Sequence, residues 1–77
     1  MREFVEFLVK HLVDNPDEIR INELESERSI IYELHVAKSD MGKVLGKKGR
    51  TAHAMRTLIN AAAGASTKKR VMLEIIE

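Results

Sequence analysis

Cysteine is absent from the 77 residues, which excludes a disulfide framework, a thiolate nucleophile and a zinc–thiolate knuckle. No apolar run exceeds three residues, as in Ala61-Ala62-Ala63, so no segment is expected to span a membrane. Glu3 and Glu6 fall where the apolar stretch of a signal peptide would have to be, and none is expected. A cytoplasmic protein is the resulting expectation. The chain is too short for a multidomain enzyme, a barrel or a doubly wound nucleotide-binding fold, and residues 1–77 are read as one small domain. What is present, 44% hydrophobic and 32% charged residues, describes a globular chain and not a disordered or collagenous one. Without covalent staples such a domain must rely on its core, and a partner subunit would help it.

The net charge of +1 conceals an asymmetry. Residues 1–37 carry four basic side chains against nine acidic ones, a balance of −5. Residues 38–77 carry nine basic ones against three acidic, a balance of +6, and Asp40 is the only acid between 38 and 70. That distribution suggests one face that meets an anion and another that does not.

Hydrophobic spacing divides the chain into six elements. Phe4, Val5, Leu8, His11 and Leu12 recur at helical intervals over Arg2–Val13, and Asp14-Asn15-Pro16-Asp17 ends that helix. Glu18–Glu25 reads as a strand through Ile19 and Ile21, with Leu24 breaking the alternation and implying a twist or bulge near its end. Ser29–Ala37 is the clearest strand, with Ile30, Tyr32, Leu34 and Val36 on one face. Ser39-Asp40 supplies a capping oxygen for a short helix, Met41 to Leu45. A second helix follows Gly46–Gly49, with Ala52, Met55, Ile59, Ala62 and Ala63 along one stripe and Gly64 as its terminator. Arg70–Ile76 alternates again. The order α-β-β-α-α-β predicts an α+β fold, a three-stranded mixed sheet with helices packed on one face, closed by a right-handed crossover.

The stretch that carries chemistry is Asp40-Met41-Gly42-Lys43-Val44-Leu45-Gly46-Lys47-Lys48-Gly49-Arg50. Glycines let a phosphate approach the main chain without meeting a Cβ. The next helix turns its free N–H groups toward the loop, and Lys47, Lys48 and Arg50 add mobile positive charge. Such a loop grips phosphates without reading bases. Gly46-Lys47-Lys48-Gly49 resembles the GXXG loop of KH domains, and the element order is similar to the type II KH arrangement over essentially the whole chain. With Asp40-Met41-Gly42 before the loop and Gly49-Arg50-Thr51-Ala52 after it, the chain resembles the bacterial KhpA family.

That resemblance implies a single-stranded RNA-binding protein, an RNA chaperone or post-transcriptional regulator that forms homodimers and pairs with a larger KH-containing protein. It implies that Gly46, Lys47, Lys48 and Gly49 hold the RNA backbone, flanked by Lys43 and Arg50. Met41, Val44 and Leu45 would form the apolar floor of the groove, opposite either Ile31 or the Val36–Lys38 strand end. The aromatics, 4% of the chain, are read as core residues: Phe4, Phe7 and Tyr32. That argues against folds that stack bases on aromatic rings.

Other readings fit less well. Gly42 to Lys47 has one residue too few for a phosphate-binding Walker loop, lacks Ser or Thr after the lysine, and follows a helix. His11, His35 and His53 lie in separate elements without metal-ligand spacing, and no metal, cofactor or catalytic residue is expected. A helix-turn-helix DNA reader would need Arg, Asn or Gln where the second helix offers mostly Ala, Thr, Met and Leu. A protein-interaction subunit remains the alternative, with Ile59 and its alanine neighbours as a helix–helix contact.

Overall fold

A computed structural model describes residues 1–77. In α1 (Arg2–Lys10), Val5 and Val9 stand four apart and are wholly buried. On the wet side Glu6 and Lys10 pair at 3.1 Å across one turn. The helix is shorter than its pattern. Leu12 N–H and Val13 N–H both return to the Val9 carbonyl, which carries the winding on as a turn and buries Val13. Pro16 then opens a 3₁₀ turn, Pro16–Glu18, which takes Glu18 out of the first strand.

The sheet consists of β1 (Arg20–Glu25), β2 (Ser29–His35) and β3 (Arg70–Ile75) in the order β1-β2-β3. β1 runs antiparallel to β2, and β3 runs parallel to it. Between β2 and β3 the chain passes through a 3₁₀ turn (Lys38–Asp40), α2 (Met41–Leu45), a second 3₁₀ turn (Lys47–Gly49) and α3 (Arg50–Ser66). The expected mixed sheet with helices on one face is what forms.

Side chains alternate across a sheet. Ile21, Tyr32, Leu34, Val71 and Leu73 are buried with Val5, Val9, Val44, Met55 and Ile59 in one core. Removing Leu34 or Ile59 from water contributes about 1.5–3 kcal/mol each, since they are 0% and 1% exposed. The opposite face is open to solvent. There Leu24, Ile31 and Met72 sit side by side in cross-strand register.

Four local expectations are corrected. Leu24 marks no bulge: the β1–β2 register is unbroken from Arg20 to Glu25, and Leu24 lies on the open face, half exposed. Phe7 is not core but 58% exposed, because Val5 and Val9 define the inward direction of α1 and Phe7 lies across the helix from it. Its ring instead leans on His11, with centroids 4.5 Å apart. Gly64 does not stop α3, which continues to Ser66 and ends where Thr67 becomes extended. Ile59 faces its own sheet and is no outward helix contact; the exposed residue beside it is Leu58.

Candidate nucleic-acid interface

The loop between α2 and α3 is built by two glycines with positive φ, one on either side of Lys47 and Lys48. Gly46 closes α2 with φ 75° and ψ 173°, and Gly49 opens α3 with φ 74° and ψ 13°. A side chain at Gly46 would overlap the Thr51 side chain and come within 2.8 Å of the Thr51 backbone nitrogen. Gly46 is therefore required twice, by conformation and by space. Around Gly49 there is room, so only its conformation asks for glycine. Between them Lys48 also has positive φ, 56°, which is strained for a residue with a Cβ. The turn closes through Gly49 N–H on the Gly46 carbonyl at 3.1 Å.

Lys47, Lys48 and Arg50 are exposed, and no ion pair engages any of them. The α3 N-terminus has no side-chain cap and no acid in its first turn. A 17-residue helix carries the equivalent of about half a positive charge at that end, so the loop is an anion-receptive surface.

Lys43 differs from these three cations. Its ammonium pairs with the Asp14 carboxylate and lies 3.7 Å from Asp40. The hydrogen bond to Asp14 raises its pKa, burial opposes this, and the charges of Asp14 and Asp40 add to the rise. Asp40 is the one buried charged residue, 1% exposed. It occupies the N-cap position of α2 yet caps none of that helix's N–H groups, contrary to the capping role expected for it. Its carboxylate turns instead to the chain after α1. There it accepts hydrogen bonds from Asp14 N–H at 3.1 Å, Asn15 N–H at 3.0 Å and the Asn15 amide at 3.1 Å. Burial disfavours its ionisation, but these donors and the Lys43 charge prevail and hold its pKa below the usual carboxylate value.

The apolar floor is also changed. Val44 is wholly buried and belongs to the core, so it is not available to a ligand. Met41 and Leu45, four residues apart on another side of α2, are half-buried. Met41 lines a cavity of about 540 Å³ with His35, Val36, Lys38, Ile76 and Glu77. Ile31 is on the far face of the sheet, so of the two strand alternatives only the Val36–Lys38 end adjoins α2. A second cavity, about 480 Å³, runs between α3 and the edge strand β3 past Arg56, Asn60 and Arg70. None of the three was among the candidate site residues; for Arg56 and Arg70 the only signal was the excess of basic over acidic residues between 38 and 70, and Asn60 had none.

Residues 2–75 match the family model described as KhpA/KhpB, KH domain. The chain belongs to the KhpA/KhpB family of KH domains. The element order and the three-stranded mixed sheet with its three helices are those of a KH fold. The chain is 57% identical over 76 residues to the RNA-binding protein KhpA of Caldanaerobacter subterraneus subsp. tengcongensis, covering 99% of this chain and all of that protein. It is 52% identical over 75 residues to the RNA-binding protein KhpA of Borreliella burgdorferi, covering 97% and 90% of the two chains. To the protein of the same name in Chlamydia pneumoniae it is 51% identical over 77 residues, covering 100% and 97%. No helix of the KH domain is long and apolar enough to cross a membrane.

Proposed function

We propose that this chain is a single KH domain that binds single-stranded RNA, with Gly46–Gly49 gripping the phosphate backbone. The observation that carries this reading is the loop: two glycine positions in left-handed backbone, three unpaired cations, and the uncapped N-terminus of α3. Lys47, Lys48 and Arg50 neutralise phosphates, while main-chain N–H groups at the start of α3 donate hydrogen bonds to their oxygens. Met41 and Leu45 give bases an aliphatic surface. Contacts of this kind hold a strand with little base specificity, which fits an RNA chaperone or post-transcriptional regulator of the cytoplasm without enzymatic activity.

One such domain binds weakly, and a homodimer, or a larger KH-containing partner, raises avidity. Phe7 and Leu58, 58% and 50% exposed, support a homodimer. They flank an apolar groove of about 260 Å³ between α1 and α3 that a second copy would cover. The same surface favours the alternative reading, in which protein contact is the main role and RNA binding is secondary.

The deciding experiment changes Lys47 and Lys48 together to Asp and measures RNA affinity across a salt series beside thermal unfolding. Both lysines are exposed, so stability is expected to move within about 0.5 kcal/mol. RNA binding is expected to be lost, the residual salt slope shallower by roughly 0.7 per lost phosphate contact. A normally folded double variant with unchanged affinity would falsify the loop's role. Equal affinity for a matched duplex would refute the single-strand groove.

A further inference from the structure

Helix α2 cannot hold itself in place. It has five residues, one of them Gly42, and no side-chain cap, whereas isolated helices need about 12–15 residues to persist in water. Yet its C-terminal end is where the phosphate loop begins. Val44 in the core, with Met41 packed against it, anchors its body, and Asp40 at its N-cap ties its first end to the chain after α1. The Asp40 contacts reach back 25 and 26 residues to the turn that leaves α1.

We propose that Asp40 is a positioning residue for the Gly46–Gly49 loop: it clamps the turn after α1 to the start of α2, and Lys43 serves that clamp and not the RNA. The inference rests on the RNA-binding reading above and deepens it. The carboxylate satisfies two main-chain N–H groups and the Asn15 amide at once, with no buried side-chain polar atom left unpaired. Asn15 also reaches the neighbouring Ser39 hydroxyl at 3.4 Å. Because α1 is locked by Val5 and Val9, and the turn after it by Val13, the clamp passes the rigidity of the core to α2. Lys43 completes it by bridging Asp14 and Asp40, which leaves its charge already compensated before any phosphate arrives.

An asparagine at position 40 keeps the shape but offers one acceptor oxygen. Its NH₂ would then face the donors of Asp14 or Asn15. Asp40→Asn is therefore expected to loosen α2 and reduce the fraction of molecules with the loop correctly presented. If that fraction falls to about a tenth, the apparent Kd rises about tenfold. The test titrates a short fluorescent mixed-sequence single-stranded RNA with wild type and Asp40→Asn, at a temperature where unfolding curves show both folded. The expected result is weaker binding with an unchanged salt slope, because the phosphate contacts themselves remain. Amide hydrogen exchange is expected to quicken by a larger factor at Lys47–Arg50 than in β2, whereas a merely stabilising role would quicken exchange in β2 at least as much. Lys43→Gln is measured alongside, with weaker binding and the wild-type slope expected. A slope shallower by roughly 0.7 would assign Lys43 to a phosphate and overturn its place in the clamp. Should Asp40→Asn not fold, Asn15→Ala deletes one donor and spares the two main-chain ones. It is expected to weaken binding, and wild-type affinity in it would overturn the clamp. Folded Asp40→Asn with wild-type affinity would overturn it as well, whereas failure of the wild type to bind RNA would instead remove the functional reading.

Discussion

Replacing Gly46 by alanine should damage the protein far more than the same change at Gly49, although both glycines flank the same two lysines. At φ 75° and ψ 173°, Gly46 lies in a region essentially reserved for glycine, where another residue is strained by about 1–3 kcal/mol. The added methyl would also overlap Thr51, coming to 2.6 Å from its Cβ and 2.8 Å from its nitrogen. Forced overpacking of this kind costs about 1–3 kcal/mol more. The midpoint of the two effects, about 4 kcal/mol, corresponds to a Tm lowered by roughly 16–32 °C at about 4–8 °C per kcal/mol for a domain of this size. At Gly49, with φ 74° and ψ 13°, an added methyl would meet nothing within 4 Å. Only the left-handed penalty applies there, about 1–2 kcal/mol. Thermal denaturation followed by circular dichroism at matched concentration gives both numbers. Thr51→Ala should not rescue Gly46→Ala, since it removes the hydroxyl but leaves the Cβ and the nitrogen in the way. Equal losses of Tm in the two glycine variants would refute the argument that space, as well as conformation, dictates Gly46.

Leu58→Glu should dissociate the proposed homodimer while leaving the fold intact, because the side chain is half exposed; sedimentation at micromolar concentration reads this, and a strictly monomeric wild type would remove the dimer from the proposal. Acid should weaken the fold through Asp40. A carboxylate whose pKa is lowered by folding stabilises the protein fully above its unfolded value and loses that contribution as pH falls through the lowered folded one. Asp40→Asn, which cannot titrate, should therefore show a flatter decline of Tm below about pH 4, and an unchanged acid limb would count against the carboxylate. Lys43 has the opposite sign: its raised pKa contributes below the unfolded value and is lost as pH climbs through the folded one. Leu34→Ala, at a wholly buried position of the central strand, should cost about 2–5 kcal/mol in urea unfolding; a cost below about 1 kcal/mol would contradict its burial.

Local chemistry, and so the sequence alone, determined the element order, the faces of β2 and the place of the glycine-flanked loop between α2 and α3. Alternation of period two, helical spacing and the pair of glycines around Lys47 and Lys48 act within a few residues of one another. The type II topology followed from those elements, because two helices between the last two strands permit a parallel pair. What tertiary structure decided concerns directions that neighbours along the chain do not set. Phe7 and Val5 are equally apolar, yet only packing against the sheet tells α1 which side to bury. Val44 was indistinguishable from Met41 and Leu45 until the helix rotated one of the three into the core. Leu24 looked like a break in a strand until β2 and β3 brought Ile31 and Met72 alongside it. Asp40 reads as a helix cap in any window of ten residues. Its actual partners, Asp14 and Asn15, lie 26 and 25 residues away, and a buried carboxylate takes whichever donors the fold brings within about 3 Å.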